Sequence, residues 1–300
     1  MSAPGRWLEL RARRSNGPEE DDGELAQALV ELGGRAVEER DGWLITHLPE
    51  PVDPDAFVHE VTPFLSRWLG EPVTVVHGWR TAEDWAETWK RGLGPRRITH
   101  RLWVTPSWER VEAGTDAVVV VVDPGMAFGT AEHATTRGAL RLLDRTLHPG
   151  ERVVDVGAGS GILAIAAALL GAAEVVAVEG DPVAAPYGRE NLGRNGVAAR
   201  VRWLESRADA ALLRGLGPVD GFLANLESGV LLRLLPGLWD GVRPGGWLIL
   251  SGITGEEWEG FAHDVTCAGL SLEAMDLEDE WCSGHFSRPP GLGSRRPRRG

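Results

Sequence analysis

The stretch Val153-Val-Asp-Val-Gly-Ala-Gly-Ser-Gly-Ile162 decides how this chain is read. It is a short β-branched run, then a turn with glycine at 157, 159 and 161, then the apolar run Ile162-Leu-Ala-Ile-Ala-Ala-Ala-Leu-Leu170. The pattern is that of a buried strand, a tight loop and a buried helix. Glycine lets the backbone turn sharply and lets a ligand approach where a Cβ would intrude. In an open α/β sheet such a loop lies at the carboxyl ends of the strands, where ligands bind. Dinucleotide sites use G-x-G-x-x-G. The spacing here is G-x-G-x-G, with Asp155 two residues before the first glycine, which argues against a nicotinamide oxidoreductase.

Downstream, Ala173-Glu-Val-Val-Ala-Val-Glu-Gly-Asp181 reads as a second strand with an acidic end. A carboxylate about 20 residues past the glycines is placed to accept hydrogen bonds from ribose hydroxyls. Glu179 is the candidate and Asp181 the alternate; a solvated strand end is the simpler explanation of either. Further strands expected near 152–156, 174–179, 200–204, 219–224 and 246–251 alternate with helical stretches, which predicts a mostly parallel, doubly wound sheet over residues 96–287.

The amino-terminal part reads differently. Strands at Arg6–Ala12, Arg35–Glu39, Gly42–His47 and Val73–Trp79 alternate with helices at Glu20–Leu32 and Pro54–Leu69. That βαββαβ order over residues 1–80 is ferredoxin-like. Residues 81–95 read as a helical connector in which Trp85 and Trp89 share a face. From Ser283 the strand pattern fades, and residues 288–300 have the composition of a disordered basic tail.

Net charge is −13 over 300 residues, and the terminal five arginines make the rest more acidic still. Nucleic acid needs clustered basic residues, so it is not expected as the main partner; an acidic body steers a basic partner, or simply keeps the protein in solution. Two cysteines, Cys267 and Cys282, form no metal or disulfide framework. No apolar signal core opens the chain and no apolar run reaches bilayer length. A cytoplasmic protein with no membrane association is expected, and a monomer, since nothing demands a dimer.

A second constellation, Asp123-Pro-Gly-Met-Ala-Phe-Gly-Thr-Ala-Glu-His-Ala-Thr-Thr136, precedes the glycine loop. Thr135 or Thr136 is placed to cap the helix expected over Arg137–Thr146 or to point a hydroxyl at a ligand. His133 lacks further ligands at metal spacing, so packing or loop hydrogen bonding is expected and no metal. At the end of the fourth strand stands Asn225, whose side-chain carbonyl can take a hydrogen bond from an attacking nitrogen or help hold a cofactor.

These segments taken in order resemble one family. Glu83-Asp-Trp with Trp89-Lys90, Leu102-Trp-Val-x-Pro-Ser-Trp108, Asp123-Pro-Gly-x-Ala-Phe-Gly-Thr130 with His133 and Thr135-Thr136, Asp155-Val-Gly-x-Gly-Ser-Gly161 and Ala224-Asn-Leu226 are similar to the ribosomal protein L11 methyltransferases (PrmA), which use S-adenosylmethionine. The resemblance implies a ferredoxin-like substrate-recognition domain joined by a flexible connector to a Rossmann-like catalytic domain. The activity it implies is transfer of methyl groups to amino groups, lysine side chains or the α-amine, of a large-subunit ribosomal protein. It also implies cofactor contacts at Thr136, Gly157, Gly159, Glu179 and Asn225. Three places depart from the family pattern: Ala131 stands where glycine is usual, Glu179 where aspartate is, and Leu226-Glu-Ser-Gly229 follows Asn225.

The chemistry expected is in-line attack of a neutral amine on the sulfonium methyl, so the protein must align and desolvate the amine. A lysine protonated at pH 7 must first lose a proton, and burial favours the neutral form. Two other readings stand beside this: a methyltransferase of the same fold acting on another protein lysine or a small-molecule amine, and a non-catalytic nucleoside-binding module.

Overall fold

The computed structural model describes residues 6–15, 23–34, 37–40, 42–49, 54–81, 94–112, 114–123, 129 and 131–290. Residues 82–93 of the expected connector, with Trp85 and Trp89, and the tail beyond residue 290 lie outside them. The chain divides into two compact units, Met1–Gly92 and Leu93–Gly300.

In the first unit the strands are β1 (Arg6–Arg14), β2 (Val37–Arg40), β3 (Trp43–Pro49) and β4 (Val73–Thr81), with helices α1 (Gly23–Glu31) and α2 (Pro54–Leu69). They form an antiparallel sheet of order β2-β3-β1-β4. Period-two alternation turns Leu8, Leu10 and Ala12 of β1 to one face. They pack there with Leu25, Ala28 and Leu29 of α1 and Val61 and Leu65 of α2. This is the ferredoxin-like arrangement expected from the element order.

The second unit opens with a small sheet of β5 (Arg96–Arg97), β6 (Leu102–Thr105) and β7 (Val118–Val121). Its main sheet holds β8 (Arg152–Val156), β9 (Glu174–Glu179), β10 (Val201–Glu205), β11 (Val219–Asn225), β12 (Val242–Thr254), β13 (Ser271–Glu278) and β14 (Trp281–Ser287). The order is β10-β9-β8-β11-β12-β14-β13. Its ladders are parallel except those made by β14. Helices α3 (Ala134–Thr146), α4 (Ile162–Leu169) and α5 (Ala184–Arg194) alternate in sequence with strands, as do α6 (Ala210–Leu216), α7 (Ser228–Gly241) and α8 (Gly255–Cys267).

The strands carry apolar residues on both faces, as a sheet covered on both sides requires. Val153, Val175 and Ala177 join a core with α3 and α4, whereas Val154, Val156, Val176 and Val178 join another with α7 and α8. The fold is therefore Rossmann-like and doubly wound. From β8 the chain moves outward to β9 and β10 on one side, while β11 and β12 lie on the other. The carboxyl ends of β8 and β11 thus flank the topological switch point, where open α/β sheets bind ligands.

Several boundaries differ from the sequence reading: β1 runs to Arg14, β12 runs Val242–Thr254 rather than near 246–251, and β13 lies outside the expected series. The strand pattern does not fade at Ser283, because β14 runs through Ser287 between β12 and β13. Its alternation is hidden by small and polar residues that are satisfied in the interior: the Ser283 hydroxyl lies 2.7 Å from that of Ser251, and a Cβ on Gly284 would meet Phe286 and Trp258. Helix α3 begins at Ala134, not Arg137.

Candidate active site

The glycine loop leaves β8 under two backbone restraints: Gly157 and Ala158 N–H both donate to the Val178 carbonyl, at 2.9 and 3.0 Å. Gly157 has φ +73°, and a Cβ there would stand 2.6 Å from Leu226 Cδ2. Glycine is thus required twice, by the left-handed turn and by the approach of the residue after Asn225. Gly159 donates to Glu179 Oε2 at 2.7 Å, and Asp181 N–H donates to Glu179 Oε1 at 2.7 Å. Asp181 turns its own carboxylate to Val183 N–H at 2.8 Å, at the entry to α5. Of the two acidic candidates, Glu179 faces the glycine loop.

Below the loop, Asp155 is 1% exposed and accepts Ala164 N–H at 2.9 Å. Burial raises its carboxyl to about 7 from an ordinary 3.8; the Ala164 bond opposes this and the charge of Glu179 adds to it. The folded chain therefore holds a proton here that the unfolded chain releases near pH 4. This stabilising contribution is full below that pH and is lost as pH rises through about 7. Asparagine keeps an acceptor for Ala164 and cannot ionise. Asp155→Asn should therefore gain stability relative to the parent between pH 4 and pH 8, by roughly 4 kcal/mol. Urea unfolding at several pH values checks this; parallel pH profiles for the two proteins would refute it.

The second constellation meets the glycine loop through pairings that no local pattern announced. Asn195 bonds both backbone groups of Val121, with Val121 N–H donating to Oδ1 at 2.8 Å and Nδ2 donating to the carbonyl at 2.6 Å. One helical turn earlier, Asn191 Oδ1 accepts Asp123 N–H at 3.3 Å and its Nδ2 donates to the Ser160 carbonyl at 3.0 Å. Ser160 Oγ donates to the Gly129 carbonyl at 2.5 Å. Two asparagines four residues apart, Asn191 on α5 and Asn195 at its C-cap, thus fix the exit of β7 beside the glycine loop.

The expected threonine cap is corrected. The N-cap of α3 is His133, whose ring Nδ1 accepts Thr135 N–H at 3.4 Å and lies 2.8 Å from the Thr135 hydroxyl. Its ring stands edge-on to Trp281 at 4.8 Å between centroids. The two threonines fall inside the first turn, where both are buried. There the Thr135 carbonyl accepts from Ser251 Oγ at 2.8 Å, and Thr136 Oγ1 accepts from Asn225 Nδ2 at 3.2 Å. The structure so brings Thr136 and Asn225 together, with Gly157 packed on Leu226 beside them and Gly159 bonded to Glu179. No group of three or more His, Cys, Asp or Glu residues placed to hold a metal occurs among the described residues, and no described helix is long and apolar enough to cross a membrane.

Comparison with known proteins bears on the chemistry of this crevice. The model of the ribosomal protein L11 methyltransferase (PrmA) family matches residues 54–289. The chain belongs to that family. A protein of Symbiobacterium thermophilum named ribosomal protein L11 methyltransferase is 36% identical over 310 residues, covering 92% of this chain and 97% of its own length. Another of that name, from Pelotomaculum thermopropionicum, is 40% identical over 237 residues, covering 78% and 76%. The crystal structure of a ribosomal protein L11 methylase from Lactobacillus delbrueckii subsp. bulgaricus superposes with a TM-score of 0.60 at 28% identity, covering 65% of this chain and 99% of that one. PrmA membership makes this chain a methyltransferase with S-adenosylmethionine as methyl donor.

The crevice suits that cofactor. An ionised carboxylate has about four acceptor positions. Glu179 uses two of them on Gly159 and Asp181, leaving acceptors of the kind a ribose diol needs. Gly157 and Gly159 place no side chain along the loop.

Proposed function

We propose that this enzyme methylates amino groups, lysine side chains or the α-amine, of ribosomal protein L11. The protein substrate is supported by the family match and its named relatives, and the chemistry by the 3.2 Å bond from Asn225 Nδ2 to Thr136 Oγ1, made at the switch point by residues 89 positions apart. The bond commits the amide nitrogen of Asn225 to Thr136 and leaves its carbonyl oxygen to accept from a substrate amine. In this reading Glu179 holds the ribose, Gly157 and Gly159 admit the cofactor to the loop, and Thr136 and Asn225 complete its site.

The bound cofactor supplies an electrophilic methyl group on a sulfonium. The protein's part is positional. Asn225 Oδ1 takes one N–H of the neutral amine, aiming the nitrogen lone pair, and Thr136 prevents the amide from rotating away. Burial between β8 and β11 disfavours the ammonium form, so the substrate sheds its proton before it seats. The unit Met1–Gly92 is assigned to recognition of the protein substrate, and the net charge of −13 suits a basic partner. We place the enzyme in the cytoplasm as a monomer that requires neither nucleic acid nor membrane.

The test is incubation with methyl-labelled S-adenosylmethionine and ribosomal proteins from cells that lack this enzyme. Label confined to L11 is expected, and it should vanish when residues 1–80 are deleted from a variant that still binds S-adenosylhomocysteine. Cofactor binding with no label on any ribosomal protein would overturn the substrate assignment.

A further inference from the structure

Ala131 has φ +64° and is 0% exposed, its methyl group lying in the core with Leu102, Val104 and Leu140. A left-handed alanine is disfavoured and persists only where its surroundings hold it. Here Arg137 holds the backbone of the turn, while Arg96 pairs with the Glu132 side chain. Arg137 Nη1 donates to the Ala131 carbonyl at 3.0 Å and also to the Glu132 carbonyl. The rest of the guanidinium is held by Glu278, with Nε 2.8 Å and Nη2 2.6 Å from Oε1.

Glu278 is itself braced. Its other oxygen accepts from Arg141 Nη2 at 2.7 Å, and Arg141 also pairs with Asp276. Arg137 and Arg141 lie one turn apart on α3, while Asp276 and Glu278 lie two apart on β13 and so share a face. The helix comes close to the sheet at this point, since a Cβ on Gly138 would stand 2.4 Å from Ser283 Oγ. The hydrogen bond from Arg137 outweighs burial and keeps the Glu278 carboxyl below the usual range.

We propose that Arg137 is a positioning residue: by clamping the Ala131 and Glu132 carbonyls against β13, it holds the left-handed turn that delivers the first turn of α3, with Thr136, to Asn225. The inference rests on the proposed role of Thr136 and Asn225 in cofactor binding. Arg137 touches neither of these side chains; it acts through the turn. Ser160 restrains the same segment from its other side, at the Gly129 carbonyl.

The strain at Ala131 supplies a test specific to this role. Arg137→Gln removes the clamp, and a second substitution, Ala131→Gly, lets the turn form without it, because glycine adopts this φ freely. Calorimetric titration with S-adenosylhomocysteine should show Kd raised about tenfold in Arg137→Gln and returned to within threefold of the parent in the double variant. Arg137→Lys, which can satisfy either the carbonyls or Glu278, should fall between. A role confined to joining α3 to β13 predicts a lower Tm in Arg137→Gln, unchanged affinity and no rescue; that result would overturn the proposal. Without ligand, the amides of Ala131–Ala134 should exchange at least fivefold faster in Arg137→Gln, and equal rates would also overturn it. If the parent itself gives no binding heat, the cofactor reading of the site fails, and exchange alone decides the clamp. Should Arg137→Gln not fold, Glu278→Gln keeps the arginine but loosens its anchor. It should shift Kd and exchange in the same direction by a smaller factor, and no shift in either would refute the clamp.

Discussion

Asn225→Ala should lower kcat for methyl transfer by about 100-fold or more, the usual cost of removing one preorganised hydrogen-bonding group from a reacting centre. Asn225 ends β11 and presents two functional atoms on a rigid base, since β11 is paired with β8 and β12 on either side. Its Nδ2 is committed to Thr136 Oγ1 at 3.2 Å, and in the proposed function Oδ1 takes the incoming amine. Alanine removes both atoms and leaves a gap that water can enter, and water competes for the amine. Thr136→Val separates the two roles. It keeps Asn225 and nearly the same volume but gives its amide nothing to bond, so about a tenfold loss is expected, whereas Thr136→Ser should stay within a factor of three. Single-turnover rates with saturating cofactor and protein substrate measure this directly. Transfer by Asn225→Ala within threefold of the parent would remove Asn225 from the chemistry.

How much of this site could be read before folding depends on where each residue's partner lies. The glycine loop and the ends of β8, β9 and β11 follow from local pattern: glycine spacing, β-branched runs and a carboxylate or amide at the strand end. The supporting residues do not. Asn191 on α5 and Asn195 at its C-cap look like ordinary polar positions until β7 and Ser160 arrive from 31 to 74 residues away. Arg137 and Glu278 are 141 positions apart and read singly as surface charges. The cap of α3 is not legible in the sequence because Ser, Thr, Asp and Asn are the usual N-caps, and here a histidine ring nitrogen takes that place. Strand β14 extends past its legible pattern because Ser283 and Gly284 are buried against Ser251, Phe286 and Trp258, so a core strand carries small and polar residues. Local periodicity reports which face a residue occupies, but not that a distant hydroxyl will satisfy it.

Glu179 should be the residue on which cofactor affinity depends most. Two charge-assisted bonds to ribose hydroxyls at about 1.5 kcal/mol each amount to roughly 3 kcal/mol, so Glu179→Ala should raise the Kd for S-adenosylhomocysteine about 100-fold. The more telling substitution is Glu179→Gln. It preserves shape, yet both carboxylate oxygens already accept a backbone N–H at 2.7 Å, one from Gly159 and one from Asp181. A glutamine amide has only one oxygen, so its NH₂ must face one of those N–H donors. One end of the glycine loop is then released or the side chain turns out, and an isosteric change should cost as much affinity as truncation to alanine. Glu179→Asp keeps the charge and two acceptors on a shorter arm that cannot reach both amides at these distances; an intermediate loss of about tenfold is expected. Calorimetric titration of the three variants separates the possibilities. If glutamine binds like the parent while alanine does not, the carboxylate is a spacer rather than the hydrogen-bonded bridge between glycine loop and ribose. If all three bind like the parent, the ribose lies elsewhere, and the acidic end of β9 serves only to hold the glycine loop.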